Sequence, residues 1–249
     1  MKTSSIPVSI SDLPHGDLLR LLLDFVHRII LHHGLWFAEI SHQMGQEKAM
    51  AALGKCLDTS LNLHLKRLSE TLNFELVDGM PKALAALSRD QLLELIDALG
   101  KIWIANDGLW FQAIEFDHGM NDAKRCNDSC WGHFSPFEAW SIKRFLGLGE
   151  APGLEGLAQA LHYRVYARLN RQSIIWENEK SLIFQMNACR VQIARNRKGL
   201  ADYPCKSGGL VEYTYFAEAV DTRIKTQCIG CPPDAHPDTW YCAWRFTMD

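Results

Sequence analysis

The sequence lacks a long hydrophobic run. Its most apolar stretch, Leu18 to Leu31, is interrupted by Arg20, Asp24, His27 and Arg28, short of the roughly 18 uncharged apolar residues of a membrane span. The start, Met1 to Pro14, is polar and has no apolar secretory core. A dense basic segment is missing too. Net charge is −3 with His neutral. The cluster Arg190, Arg195, Arg197, Lys198 is short and broken by apolar residues, which suits the solvated face of a helix. Neither nucleic acid nor a membrane is expected as partner. No glycine-rich phosphate loop is present, since Gly147-Leu148-Gly149 lacks the residues that must follow. There is no Gly-x-Ser-x-Gly elbow. These absences lead to the expectation of a cytoplasmic protein whose 8 cysteines are thiols or metal ligands rather than disulfides.

What is present is enough apolar material for a core: 47% of 249 residues. The most informative feature is an internal repeat. His33-Gly-Leu-Trp-Phe37 recurs as Asp107-Gly-Leu-Trp-Phe111, and the same shift matches Leu18 with Leu92, Ile30 with Ile104, Gly45 with Gly119 and Cys56 with Cys130. Chance identity runs at roughly one position in fifteen, so the clustering argues for a repeated unit. Apolar residues at helical spacing, Leu18, Leu22, Phe25, Ile29 and again Leu92, Ile96, Leu99, Trp103, predict a long helix opening each unit. A second helix is expected after each shared glycine. Ser88 to Gln91 reads as a capping box. Trp36, Phe37, Trp110 and Phe111 are read first as core anchors, with ligand stacking by Trp110 and Phe111 as the alternative.

From about Ser173 the pattern changes. A strand or hairpin is expected over 173–187, a helix over 188–198, another from Ser207 to about Thr222, and strands over 224–229 and 240–248. The helix from Ser207 should bury Leu210, Tyr213, Phe216, Ala217 and Val220. The expected fold class is therefore α+β: a duplicated helical part (1–170, repeats at about 15–88 and 89–165) packed on a small antiparallel sheet (171–249).

Three constellations could carry chemistry. Cys228-Ile-Gly-Cys231, with Cys242 on the next strand and His236 or Cys205 as a fourth donor, has partial metal-ligand spacing for zinc or an iron–sulfur cluster. It lacks the second Cys-x2-Cys of a zinc ribbon. The competing reading is cysteines packed as small apolar residues. Cys205 precedes a helix and neighbours Lys206, and both features favour a thiolate nucleophile. The alternative is an inert thiol at a turn. Glu39-x-x-His42 and Glu115-x-x-His118 resemble half-sites of a dimetal carboxylate bundle, but their separation differs from the repeat by two residues, about 200° on a helix. Glu115, Asp117 and His118 are the better pocket candidates, where a carboxylate beside a His could do acid–base work.

Two stretches carry a resemblance to known families. The first combines the Gly-Leu-Trp-Phe helix, Glu115, Gly119, Ala123 and Trp131 with Cys189-Arg190-x-Gln192-x-Ala194-Arg195-x-Arg197-Lys198-Gly199-Leu200 and Pro204-Cys205. It resembles uncharacterised prokaryotic cytosolic proteins related to L-2-amino-thiazoline-4-carboxylic acid hydrolases. The second, from the helix before Cys228 through Cys231 to Cys242 with Trp244 or Phe246, resembles a 4-vinyl reductase-type ligand-binding domain, with a longer Pro232–Pro237 loop. The resemblance implies a small-molecule pocket between helices and sheet. The expectation is a protein that binds a small organic molecule through Trp110, Phe111 and Arg190. As an enzyme it would open a C–N bond in a small ring or amidine-like substrate, using Cys205 or a metal-bound water with His118 or Glu115. The alternatives are a non-catalytic sensor with a structural metal on Cys228, Cys231, Cys242 and His236, and a dimetal helical protein. Homodimerisation is left open.

Overall fold

The computed structural model describes residues 9–199 and 202–249. Residues 1–8 of the polar start and Leu200 of the tail motif lie outside them. The chain divides into two compact units between Ala86 and Leu87.

The first unit is a helical hairpin, α1 (His15–Met44) and α2 (Gln46–Leu72), followed by the short pair β1 (Leu76–Val77) and β2 (Met80–Pro81) and one turn of α3 (Lys82–Ala85). Only Gly45 separates α1 from α2. Its φ of 89° and ψ of 156° fall in a region that only glycine enters without strain. The second unit opens with α4 (Arg89–His118), Gly119 and α5 (Met120–Leu146). Gly119 repeats the junction at φ 90° and ψ 168°. The helices match in length, 30 and 27 residues in both hairpins. Both second helices end on a left-handed residue, Asn73 and Gly147. The capping box at Ser88 is formed in full, with Ser88 Oγ accepting from Gln91 N–H and the Gln91 side chain accepting from Ser88 N–H.

The aromatic anchors behave differently from expectation. Trp36 and Trp110 are 61% and 69% exposed. Trp110 lines a hollow between α4 and α5. The α1 stripe Leu22, Phe25, Ile29 is exposed as well. Among the described residues no helix is long and apolar enough to cross a membrane.

The rest of the second unit is α6 (Gly153–Leu161), β3 (Arg171–Asn178), β4 (Ser181–Ala188), α7 (Arg190–Arg197), α8 (Lys206–Val220), β5 (Lys225–Gly230) and β6 (Cys242–Thr247). The four strands form one antiparallel sheet in the order β3-β4-β6-β5. With helices beside it, the class is α+β. Inward positions pair across the ladder: Leu182 with Phe246, Phe184 with Trp244, Met186 with Cys242. Alternate residues share a face, so these side chains make one surface. Against it α8 sets Tyr213, Phe216, Ala217 and Val220, and α6 adds Leu157 and Leu161, all buried. Phe216, Val220, Leu157 and Leu161 each contribute about 1.5–3 kcal/mol. On its other side α8 packs on α5 through Ser135, Glu138, Ala139 and Ile142, the buried stripe of α5. The division into compact units falls at 86/87, and α5 is part of the C-terminal core.

Leu210, expected inward, is 44% exposed. Gly208 and Gly209 take the inward places in that first turn. A Cβ on Gly209 would lie 2.6 Å from Trp244 Cζ2, and one on Gly208 2.9 Å from Asp128 Oδ1. Gly209→Ala should therefore overpack the α8–sheet contact and cost about 1–3 kcal/mol, read as a lower urea midpoint with an unchanged slope.

A buried carboxylate closes the far end of the core. Asp221 accepts Gly153 N–H at 2.9 Å, tying the start of α6 to the end of α8, and bonds Arg223 through Nε at 3.0 Å and Nη2 at 2.7 Å. The Arg223 bonds hold its acid well below the usual carboxylate range. A depressed acid stabilises the fold above the unfolded-state value, about 3.9, and this contribution is lost as pH falls toward the folded value. Asp221→Asn should cost about 1–3 kcal/mol near neutral pH, with the gap to the parent closing below about pH 4 in acid titrations of denaturant stability.

Candidate functional site

The main cavity lies within the second unit, where the middle of α4 and the start of α5 face α7, the first turn of α8 and the end of the sheet. Its volume is about 420 Å3. Trp103, Phe111, Trp131 and Tyr203 supply flat walls. Lys101, Lys124, Arg190, Arg195 and Lys198 supply positive charge, against Asp107, Glu115 and Glu212. Phe111 meets Tyr203 edge-on at 5.1 Å. Lys124 lies over the Tyr203 ring at 4.7 Å, donates to its hydroxyl at 3.3 Å and pairs with Asp128 at 2.8 Å. Arg195 covers the same ring at 5.8 Å. Burial pushes the Tyr203 phenol up and also raises Asp107, where Lys124 partly opposes it. Asp107, Phe111 and Trp131 also line a second hollow of about 390 Å3 between α4 and α5, together with Trp110 and Cys130.

Behind the inner wall lies a charged core. Arg164 has no exposed side-chain surface. Its Nε donates to Glu138 Oε2 at 2.9 Å and its Nη1 to Glu212 Oε1 at 2.6 Å and to the Tyr166 hydroxyl. The rings of Tyr166 and Phe216 cover it at 4.6 Å, with Tyr213 and Trp131 near 5.5 Å. Glu138 Oε1 also accepts Val165 N–H at 2.7 Å. Burial opposes the charge on Arg164, but Glu138, Tyr166 and Glu212 more than offset it. For Glu212 burial wins and its acid is raised despite Arg164 and Tyr166. Tyr166, Glu212 and Tyr213 present this network to the cavity.

Four thiols line the same cavity: Cys189, Cys205, Cys231 and Cys242. Cys205 caps the start of α8, half-buried, and its sulfur accepts from Gln192 Nε2 at 3.2 Å. Gln192 also bonds Tyr203 O and N–H at 2.9 and 2.8 Å, clamping the loop before α8. Lys206 is turned away, with its Nζ 2.8 Å from Asp234. The cationic neighbour expected for Cys205 is thus committed elsewhere. Cys231 is 1% exposed, and the neighbouring Cys205 and Cys242 thiols together with burial push its acid well up. Burial pushes Cys189 up to about 12.

The residues singled out from sequence separate into two groups. Cys205, Glu115, Phe111, Arg190, Cys231 and Cys242 all line the cavity. Four others lie apart from it. His118 is the exposed last residue of α4. Trp110 faces the second hollow. Cys228 is on β5 opposite Trp244. His236 sits in the β5–β6 loop, its ring nitrogens 3.1 Å from Pro237 O and 3.4 Å from Asp202 Oδ2. Among the described residues no three His, Cys, Asp or Glu side chains form a group able to hold a metal ion. Glu39-x-x-His42 and Glu115-x-x-His118 fall in different units. Sequence reasoning missed Arg164, Glu138, Glu212, Tyr166, Lys124 and Gln192. Only Lys124 and Asp128 carried a signal, an i,i+4 pair beside apolar positions.

Arg164→Leu should leave two buried carboxyls without their cation and cost about 3–5 kcal/mol. Denaturant unfolding at neutral pH measures the loss. Adding Glu212→Gln in the same chain should restore part of it, because one uncompensated charge is then gone.

A family model described as a family of unknown function, DUF6125, matches residues 85–248. No curated protein and no solved structure matches the chain, and these comparisons connect it with neither the hydrolases nor the 4-vinyl reductase-type domains. The matched segment begins at the division between the two units, covers the whole cavity and spans well over half of the chain, so the chain belongs to the DUF6125 family.

Proposed function

We propose that this protein binds a small organic anion with a flat apolar or aromatic body in the cavity of its second unit. The observation that carries the reading is the composition of that cavity: about 420 Å3 with aromatic walls and five basic against three acidic side chains. Ligand pockets commonly fall between 300 and 1,000 Å3 and combine apolar walls with a few placed polar groups. The aromatic faces suit a planar body, and the flanking lysines and arginines suit a carboxylate or similar anion.

Hydrolysis of a C–N bond has weaker support. Cys205 and Glu115 share the cavity, but no histidine is among its described lining residues, and the Gln192 amide that donates to the Cys205 sulfur cannot take a proton as a general base. The geometry favours binding over turnover by a Cys–His pair.

Naphthoate and neutral naphthamide make a matched pair of probes. Naphthoate should quench cavity tryptophan fluorescence at lower concentration than the amide. Arg190→Ala should remove about tenfold of the naphthoate affinity, near 1.4 kcal/mol, and leave the amide unchanged, while Phe111→Ala should weaken both. Equal binding of acid and amide, or indifference to both substitutions, would end this reading.

A further inference from the structure

We propose that Cys205, Cys231 and Cys242 form a thiol–disulfide exchange centre on the inner wall of the cavity, with low-molecular-weight disulfides as substrate. The inference uses the cavity but not the anionic ligand proposed above, so either can fail alone.

Backbone bonding brings the three cysteines together from distant positions. Lys206 N–H donates to Pro232 O at 2.8 Å, which sets the Cys205–Lys206 segment beside the Cys231–Pro232 segment. The ladder pair Gly230–Ala243 places Cys231 next to Cys242 on the adjoining strand. Cys231 consequently lies between the Cys205 and Cys242 segments, and all three line one cavity. A metal ion would need three or four donors converging on a point, an arrangement absent among the described residues. Disulfide exchange needs only neighbours in pairs, which is what this row provides.

The roles follow from accessibility. Cys205 is half-buried, stands at the N-terminal end of a 15-residue helix and holds a donated hydrogen bond on sulfur. It is the attacking group. Cys231 is 1% exposed and borders its neighbours but not bulk solvent, which makes it the resolving group. The Cys205 thiolate attacks one sulfur of an external disulfide, forming a mixed disulfide and releasing one thiolate, which takes up the Cys231 proton. The Cys231 sulfur then attacks Cys205 Sγ, closing the internal disulfide and releasing the second thiolate, which takes up the proton lost by Cys205. Two protein thiols are oxidised, one external disulfide is reduced to two thiols, and two electrons move. Cys242 can exchange with Cys231 in turn.

The test uses the full chain with Cys56→Ser, Cys126→Ser and Cys130→Ser, which removes the exposed thiols. It is reduced, freed of reductant under anaerobic conditions and exposed to oxidised glutathione. Intact mass and peptide mapping should show loss of two hydrogens with Cys231 joined to Cys205 or Cys242. Adding Cys231→Ser should trap the glutathione adduct on Cys205, and Cys205→Ser should slow adduct formation in the cavity about tenfold or more. The peptide map of the chain retaining Cys231 decides the matter should Cys231→Ser not fold. Cys205 remaining reduced while the unfolded chain reacts would overturn the proposal. So would a disulfide outside this trio, or thiols that stay silent until a chelator strips a metal ion.

Discussion

The second unit depends on one buried cation. Arg164 sits where α5, the turn after α6 and α8 meet, and it has no contact with solvent. Removing a guanidinium from water costs several kcal/mol unless charges and hydrogen bonds replace the hydration. Here Glu138 from α5 and Glu212 from α8 supply the charges, Tyr166 supplies a hydroxyl, and ring faces cover the rest. Glu138 and Glu212 belong to different helices, so a shift of either one strands a charge. That constraint fixes the spacing of α5 and α8, and with it the width of the cavity, because Tyr166 and Glu212 are at once partners of Arg164 and wall of the site.

The elements were legible in the sequence and the site only partly so. The repeat, the single-glycine breaks at Gly45 and Gly119, the capping box at Ser88 and the order of helices and strands after residue 170 are local matters of spacing and backbone freedom. Burial was harder to read. A stripe such as Leu22, Phe25, Ile29 declares that a helix has an apolar face, not what lies against it. The Trp–Phe pair shows the same limit: Phe111 meets Tyr203 across the cavity while Trp110, one residue earlier, is largely exposed. Adjacent helical residues point about 100° apart, and sequence alone does not say which of the two directions is inward.

The chemical groups divide along a similar line. Cys231 and Cys242 were expected to come together, and the β5–β6 ladder brings them together. Cys228, three residues from Cys231, is the companion that spacing alone suggests. A register shift between Cys228 and Gly230 breaks the alternation there, and Cys205, one of the two fourth donors the sequence offered, is set beside Cys231 by the bond from Lys206 to Pro232. Arg164, Glu138 and Glu212 gave no sign because a charge in a chain looks the same whether its partner is water or two carboxylates brought from other helices.

The duplication raises the question of why chemistry belongs to one copy. The hairpins share helix lengths and junctions, yet their second helices differ where α5 meets α8. At Gly132, Ser135 and Ala139 the approach is close: a Cβ on Gly132 would already touch Val211 at 3.4 Å, and Ser135 and Ala139 have no exposed surface. The equivalent positions of α2 are Asp58, Leu61 and Leu65. Larger side chains there leave no groove for a helix like α8. The cavity's polar residues on α5 are substituted just as consistently. Lys124, Asn127 and Trp131 correspond to Met50, Leu53 and Leu57, and Glu138, the anchor of Arg164, to His64. Small residues that admit α8 and polar residues that line a site occur together in one copy and are missing together from the other. The first hairpin therefore keeps the scaffold without the surface that admits a helix or the groups that would face a ligand. The family match to residues 85–248 follows the same division, for it covers the copy that carries the cavity.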